Sequence, residues 1–432
     1  MQDSPVTPHR LDPTGADQHA DNDRLRARGP AVPVVLPGEV AAVAVTRHEE
    51  LKAFLAHPDV AKNACHFAAL REGAVPPGWP LATFATVEGM TTADGDDHRR
   101  LRGLVTQVFT PRRVEGLRPR VEELTTLLLD ALGEAAFSEE TTVPGVVDLR
   151  EHFALPLPMA VISELLGVDP DMRGRLHELS NLIVSTTTTR ERALAANRDM
   201  AQVLGLVVAR RRAAPGDDLT SALLAAQAED GDRLDDRELV GTLLLMVIAG
   251  HETTLNLITN AVRALCTHPE QLALVRAGAA SWADVVEETL RYDSPVSFFP
   301  FRYPTRDLKV GDTVIPRGTP VLASYTAAGR DERAHGSDAA RFLVTRRPAV
   351  RHLSFGHGPH YCLGAQLARL EATTALEALF DRYPGLALAV PDRDLPRHPS
   401  FVGNSTEVLP VRLHPIGLQI EFSPGQHGDP RH

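Results

Sequence analysis

Cys362 stands in Phe355-Gly356-His357-Gly358-Pro359-His360-Tyr361-Cys362-Leu363-Gly364, directly before a run in which Leu367, Leu370, Ala375, Leu376 and Leu379 recur at helical spacing. Pro384-Gly385 closes that run, so the pattern predicts a helix from Ala365 to about Arg382 with the cysteine at its N-terminus. Unpaired backbone N–H groups and the helix dipole at that position favour a thiolate over a thiol. Gly356 and Gly358 permit a tight turn in which the backbone approaches the sulfur. Gly364 removes a side chain where a flat ligand would press against the helix. Taken alone, a cysteine reads first as a buried structural thiol, the commonest fate of a free thiol.

Three further groups have spacing suited to chemistry. Ala249-Gly250-His251-Glu252-Thr253-Thr254 falls inside the longest helical pattern, Asp235–Leu265. A mid-helix glycine costs up to about 1 kcal/mol, so some benefit should offset it. Thr253 can bond its hydroxyl to a preceding carbonyl, bending the helix and opening a groove; a helix interior that merely tolerates small residues would read the same. Glu288 and Arg291 are i and i+3 on one helix face, a spacing that usually makes a surface ion pair worth little. His98 and Arg102, at i and i+4, share a face of what read alone is a solvated basic helix.

The cysteine loop resembles the haem-binding loop of the cytochrome P-450 family, F-G-x-G-x-H-x-C-x-G, at every fixed position. The resemblance implies a mainly α fold with minor β-sheet (α+β), in which a long oxygen-binding helix and a proximal helix sandwich the haem. It implies haem b with Cys362 as axial thiolate, pushing electron density towards O–O cleavage, and Phe355, Gly356 and Gly364 against the cofactor. Ala249–Thr254 looks like the family's A-G-x-[DE]-T. Ala249 and Gly250 would then accommodate dioxygen, Thr253 would orient it with its water, and Glu252 would help relay the two protons that cleavage needs. His251 fills the variable position, is expected to face solvent or a neighbouring helix, and receives no catalytic role.

By the same matching, His98 and Arg102 form the family's H-x-x-x-R element and, with His360 and Arg302, offer donors to the haem propionates. Arg341-Phe342 resembles the later P-E-R-F or P-D-R-F element, implying a buried structural charge network of Glu288, Arg291 and Arg341. Gly329 departs from A-x-N-R-D, where many relatives carry asparagine. Family position assigns to the substrate pocket the loop before His98, the region 182–189 with Leu182, the face from Leu245 to Ala249, Val296–Phe299 with Phe298, and Phe401-Val402, and their apolar or small character suits a sizeable hydrophobic substrate. The resemblance implies a monooxygenase that hydroxylates or epoxidises a steroid, terpenoid or polyketide with O2 and two electrons. An oxidase coupling aromatic rings, a peroxide-driven enzyme and a haem-binding accessory protein are the alternatives. Arg99, Arg100, Arg112, Arg113, Arg346, Arg347 and Arg351 could form a basic patch that steers an acidic ferredoxin, fed by a separate NAD(P)H-dependent reductase, since no flavin or iron–sulfur motif occurs.

The elements that must position these residues are ordinary in composition. The chain has 432 residues, 43% hydrophobic and 23% charged. Its formal net charge of −11 argues against nucleic-acid binding. Three cysteines without C-x-x-C spacing fit a reducing cytoplasm. The longest strongly apolar run, Leu243–Ala249, is far short of the roughly 20 residues of a membrane span, so no anchor is expected. Residues 1–16 read as a flexible arm, 17–420 as one domain and 421–432 as a flexible tail. Helices are expected at 17–28, 49–56, 96–108, 111–132, 158–166, 171–184, 189–212, 217–228, 235–265, 269–275 and 282–292. A hairpin is expected at 32–36 and 40–45, with short β-rich pieces at 309–315, 319–325 and beyond 386.

Overall fold

The computed structural model describes residues 7–79, 81–139, 141–184, 188–226, 231–347 and 350–413. The fold is organised on its longest helix, which begins at a reciprocal cap. The Asp235 side chain accepts from the Glu238 N–H, and the Glu238 carboxylate accepts from the Asp235 N–H. With no proline before Pro269, the helix Asp236–Thr267 runs 32 residues without interruption. Numbering the major helices in chain order, these are α1 (Gln18–Arg28), α2 (Gly95–Val108), α3 (Arg118–Ala136), α4 (Pro156–Leu166), α5 (Arg173–Val184), α6 (Arg190–Ala213), α7 (Asp236–Thr267), α8 (Trp282–Tyr292) and α9 (Ala365–Arg382). Helices α4, α6, α8 and α9 all pack on α7. By length and apolarity α7 could cross a membrane, but most of its apolar stretch is buried inside the protein, as for a core helix.

Most expected helices appear within a residue or two of their predicted ends. The single helix expected over 111–132 is two, Pro111–Gly116 and Arg118–Ala136. Pro119 sits in the first turn of the second, where its missing N–H costs nothing. The expected helix 217–228 is shorter, Leu219–Ala225, and residues 227–230 lie outside the described residues.

The largest sheet has six strands in the order β1 (His9–Arg10), β2 (Ala31–Leu36), β3 (Val40–Val45), β9 (Val321–Ser324), β6 (Phe298–Pro304) and β4 (Val60–Ala61). The predicted hairpin is β2–β3, in register from Ala31 opposite Val45 to Leu36 opposite Val40. β7 (Leu308–Val310) and β8 (Thr313–Ile315) form a separate hairpin. The expected C-terminal sheet is β10 (Ala387–Leu388) and β11 (Pro410–Arg412), joined by β5 (Val146–Asp148).

The described part of the expected N-terminal arm is tied down. His9 and Arg10 pair in parallel with Val34 and Val35, and Leu11 is 2% exposed. Gln18 Nε2 donates to the carbonyls of Ser400, at 2.5 Å, and Gly403, at 2.6 Å. An apolar residue at the end of an edge strand, buried against β2, outweighs the polar composition around it. Residues 1–6, and the tail at 421–432, lie outside the described residues.

The charge network needs one correction. Arg291 makes a two-pronged ion pair with Glu288, at 2.8 and 2.7 Å, and donates to the carbonyls of Gly329, Ala339 and Arg341. The second arginine on Glu288 is Arg346, at 3.2 Å. Arg341 has an exposed side chain and contributes its backbone oxygen alone. Gly329, the departure from the family pattern, lies where a Cβ would come within 2.0 Å of the Arg291 carbonyl. The glycine lets these segments close on each other.

His335 adjoins this network, and neither of its ring nitrogens has a hydrogen-bond partner among the described residues. Burial, then His48, Arg291, Arg346 and His352, push its pKa from 6.5 down to about 3. The unfolded chain therefore binds more protons between those values, and stability is lost as pH falls through that window. His335→Phe should lose less stability between pH 7 and pH 5 than the parent does, read from urea midpoints at each pH.

Candidate functional site

A cavity of about 260 Å³ is shared by the cysteine loop, α7, α2 and β6. The loop is held by its own backbone: the Cys362 N–H donates to the Phe355 carbonyl at 2.8 Å. Gly356 and Gly358 adopt φ of 73° and 75°, the left-handed turn that glycine takes without strain. A Cβ on Gly358 would come within 2.9 Å of the Leu55 carbonyl, so this glycine also permits a close approach. Cys362, Leu363, Gly364, Phe355 and Gly356 line the cavity, with Leu367 and Ala368 of α9. A Cβ on Gly364 would lie 4.0 Å from the Cys362 sulfur, so its absence leaves the space beside the sulfur open.

The helix N-terminus does not by itself settle the charge of Cys362. Cys362 is exposed to the cavity; enclosure by the surrounding protein pushes the thiol up, while the Gly364 N–H, Arg102 and Arg369 pull it down, and the enclosure wins. A cation at the sulfur is what would tip this balance to thiolate.

On α7, Ala249, Gly250, Thr253 and Thr254 line the same cavity. Thr253 donates its hydroxyl to the Ala249 carbonyl at 2.8 Å, the back-bond its position predicts. A side chain on Gly250 would meet Ile162 of α4 at 3.1 Å, so the glycine also lets Ile162 press onto α7. Glu252 is buried; Arg150 lies 3.5 Å away. Burial pushes the Glu252 carboxyl up, but Arg150, His251, His398 and His177 outweigh it and hold the pKa below the ordinary value. His251 faces α5, where it meets His177.

The remaining wall is basic. His98 and Arg102 project from one face of α2, and Arg302 and His360 join them at the cavity. The rings of His98 and His360 are 4.1 Å apart, and Arg102 donates to the Tyr361 carbonyl at 2.7 Å. Sequence reasoning missed Lys62, which is 5% exposed; its ammonium bonds the Pro300 carbonyl at 3.3 Å and sits 4.9 Å over Phe299. Burial, then Arg302, drive the Lys62 pKa well down, and Asp94 opposes them. His360 is pushed down to about 2 by burial, then by His98, Arg302, Lys62 and Arg102. Nε2 of His98 and Nη1 of Arg302 are buried with no hydrogen-bond partner among the described residues. Orphaned donors in a self-repelling cluster are completed by anionic oxygens. The two carboxylates of a haem fit that demand, with Cys362 free to meet its iron. Only the placement of β4 against β6 could have exposed Lys62.

Of the pocket residues predicted, Leu245, Ala249, Val296 and Phe299 line the cavity. Phe298 does not. Side chains alternate along β6, so Phe299 turns to the cavity and Phe298 into the N-terminal core, edge-on to Phe401 at 6.4 Å. Phe401 is 2% exposed in that core, and Val402 packs against it. Leu182 packs on the main core, away from the cavity lining; residues 185–187 lie outside the described residues. Met246 of the Leu245–Ala249 face and Met90 and Thr91 of the loop before His98 also line it, while Ile162, Tyr325 and the buried Glu371 are lining residues outside the expected segments. The expected basic patch is also broken up. Arg99 pairs with Asp96, Arg100 with Asp232 and Glu238, Arg113 with Asp217, and Arg346 is buried in the Glu288 network.

A family model described as cytochrome P450 matches residues 177–277 and 283–400. The 2-hydroxy-5-methyl-1-naphthoate 7-hydroxylase of Streptomyces carzinostaticus is 40% identical over 409 residues, covering 94% of this chain and 98% of that protein. The 6-deoxyerythronolide B hydroxylase of Saccharopolyspora erythraea is 40% identical over 396 residues, covering 90% and 94%. Among solved structures, testerone-bound CYP154C4 from Streptomyces sp. ATCC 11861 matches with a TM-score of 0.90 and 46% identity, over 95% of this chain and 100% of that one. With the cysteine loop and α7 meeting at one cavity, these likenesses identify the chain as a haem-thiolate monooxygenase of the cytochrome P450 family.

Proposed function

We propose that this P450 hydroxylates a polycyclic or macrocyclic natural product with a largely apolar surface, of the steroid, terpenoid or polyketide class. The observation that carries the reading is the apolar lining between Cys362 and Thr253: Ile162, Leu245, Met246, Val296 and Phe299. The 6-deoxyerythronolide B in one relative's name and the testerone bound in a similar solved structure point the same way.

Haem b, once bound, supplies O2 activation with two electrons, returning one oxygen atom to the substrate and the other as water. Cys362 would hold its iron. His98, Arg102, Arg302 and His360 would bind its propionates, with Phe355, Gly356, Gly364, Ala249 and Gly250 against its faces. Thr253, which lines the cavity, would offer a hydroxyl there and Glu252 would supply protons to it, an acid–alcohol pair suited to proton delivery. A ferredoxin with its NAD(P)H-dependent reductase is the proposed electron source, in the cytoplasm, and no nucleic acid enters the reaction. Glu288, Arg291 and Arg346 act structurally.

A spectral screen tests the substrate class. Steroids, macrolides and terpenoids should shift the Soret band to shorter wavelength and give hydroxylated products; response to small polar aromatics alone would overturn the reading. Thr253→Ala should keep that spectral response while lowering product per NAD(P)H by about tenfold or more.

A further inference from the structure

Glu252 needs a supply of protons, and the next residue along α7 leads to one. His251 is 0% exposed. Its Nδ1 lies 2.8 Å from the Val247 carbonyl. A carbonyl only accepts, so Nδ1 carries the hydrogen and Nε2 a lone pair. That lone pair faces Nδ1 of His177 on α5 at 3.4 Å, which makes His177 the donor. Nε2 of His177 in turn lies 2.9 Å from Nδ2 of Asn181, which donates to it. The hydrogen bonds therefore run in one direction, from Asn181 through His177 to His251.

The file has a partly exposed outer end and an unpartnered acceptor at its inner end. His177 and Asn181 are only partly buried, at the outer side of the file. At the inner end His251 Nε2 lies 3.8 Å from Glu252 Oε2, an oxygen that is buried and has no hydrogen-bond partner among the described residues. Asn181 Oδ1 is likewise buried and without a partner.

We propose that His177 and His251 form a proton file that carries protons from the surface of α5 to Glu252. The proposal rests on the reading of Glu252 and Thr253 given above. One proton moves at each step. His177 takes a proton from water at Nε2 and gives the one on Nδ1 to His251 Nε2. His251 passes it from the same nitrogen to Glu252 Oε2, keeping its Nδ1–H on Val247. His177 is left protonated at Nε2, and the Asn181 amide turns so that its unpartnered Oδ1 accepts that hydrogen until the ring resets.

The charges around the file suit this traffic. Besides the two histidines, Glu252 is faced by Arg150 from the segment before α4 and by His398 from the C-terminal loops; together they favour the carboxylate that receives the proton. Burial, then His251, push His177 down to about 4. Burial also lowers His251. Both rings are thus neutral at pH 7, the state in which a histidine accepts one proton and gives another.

The test uses the haem-loaded protein with its redox partners and three variants, His251→Leu, His177→Phe and Glu252→Gln. His177→Phe changes a partly exposed side chain and keeps the test alive if the buried His251→Leu fails to fold. Each histidine variant should lower product per NAD(P)H by about tenfold or more and raise the solvent isotope effect on product formation, with the CO-bound spectrum unchanged. A second readout is independent of turnover. In the CO-bound ferrous form, imidazole 15N resonances should show His177 and His251 in the tautomers above, and Glu252→Gln should shift His251. If Glu252→Gln loses coupling while both histidine variants stay within about twofold of the parent, protons reach Glu252 by another route and the file is wrong. If Glu252→Gln itself leaves coupling intact, the reading of Glu252 fails and the file falls with it.

Discussion

Replacing Cys362 with serine abolishes product formation and the red-shifted Soret band of the reduced, CO-bound protein. The expectation follows from how the sulfur is held. The loop is fixed by the Cys362 N–H on the Phe355 carbonyl, and the Gly364 N–H with Arg102 and Arg369 favours negative charge on the sulfur against enclosure by the protein. A serine hydroxyl keeps the loop bonds and loses the soft, charged ligand. Folding should therefore survive: far-UV circular dichroism and the urea midpoint stay close to the parent while the spectrum changes. Retention of the thiolate-type CO spectrum in Cys362→Ser would remove Cys362 from the iron.

Glu288→Ala should cost about 3–5 kcal/mol, because it leaves Arg291 buried without its counter-charge, whereas Arg346 keeps Asp338 at 2.7 Å. Arg291 is 2% exposed, and the Arg346 side chain is 9% exposed. Arg291 also ties three carbonyls from the segment ahead of the cysteine loop, so its misplacement should reach the haem site as reduced haem retention. Arg341→Ala should stay within about 0.5 kcal/mol, since its exposed side chain leaves the carbonyl in place. Denaturant midpoints and the haem-to-protein ratio of purified variants decide this. Equal losses for Glu288→Ala and Arg341→Ala would restore Arg341 to the network.

These two results mark where the sequence is readable. The cysteine loop is local: its turn glycines, its hydrogen bonds and its helix all lie within a short segment, so residue types and spacing carry most of the answer. The His98–Arg102 face and the Thr253 back-bond are legible for the same reason. The choice between Arg341 and Arg346 is not local. Both arginines follow the same meander, and only the path of the chain decides which side chain turns inward. Lys62 gives no local signal either, because what makes it a site residue is its approach to Arg302 and Phe299 across the sheet. Phe298 is different: its neighbour Phe299 faces the cavity, and the period of two along a strand already demands that the pair split. His251 gives no local signal, because a variable motif position carries no information about the helix packed against it.

The bonds from Gln18 to Ser400 and Gly403 join residues about 380 positions apart in the chain. Loop closure becomes only slowly more expensive with length, by about 0.6 kcal/mol per doubling, so such a junction is affordable. It is nonetheless among the most non-local contacts in the molecule, and contacts of that kind form late. The first turn of α1 is thus a clasp that can fasten only after the C-terminal loops are seated, and protease resistance around Gln18 would report completed assembly of the whole domain.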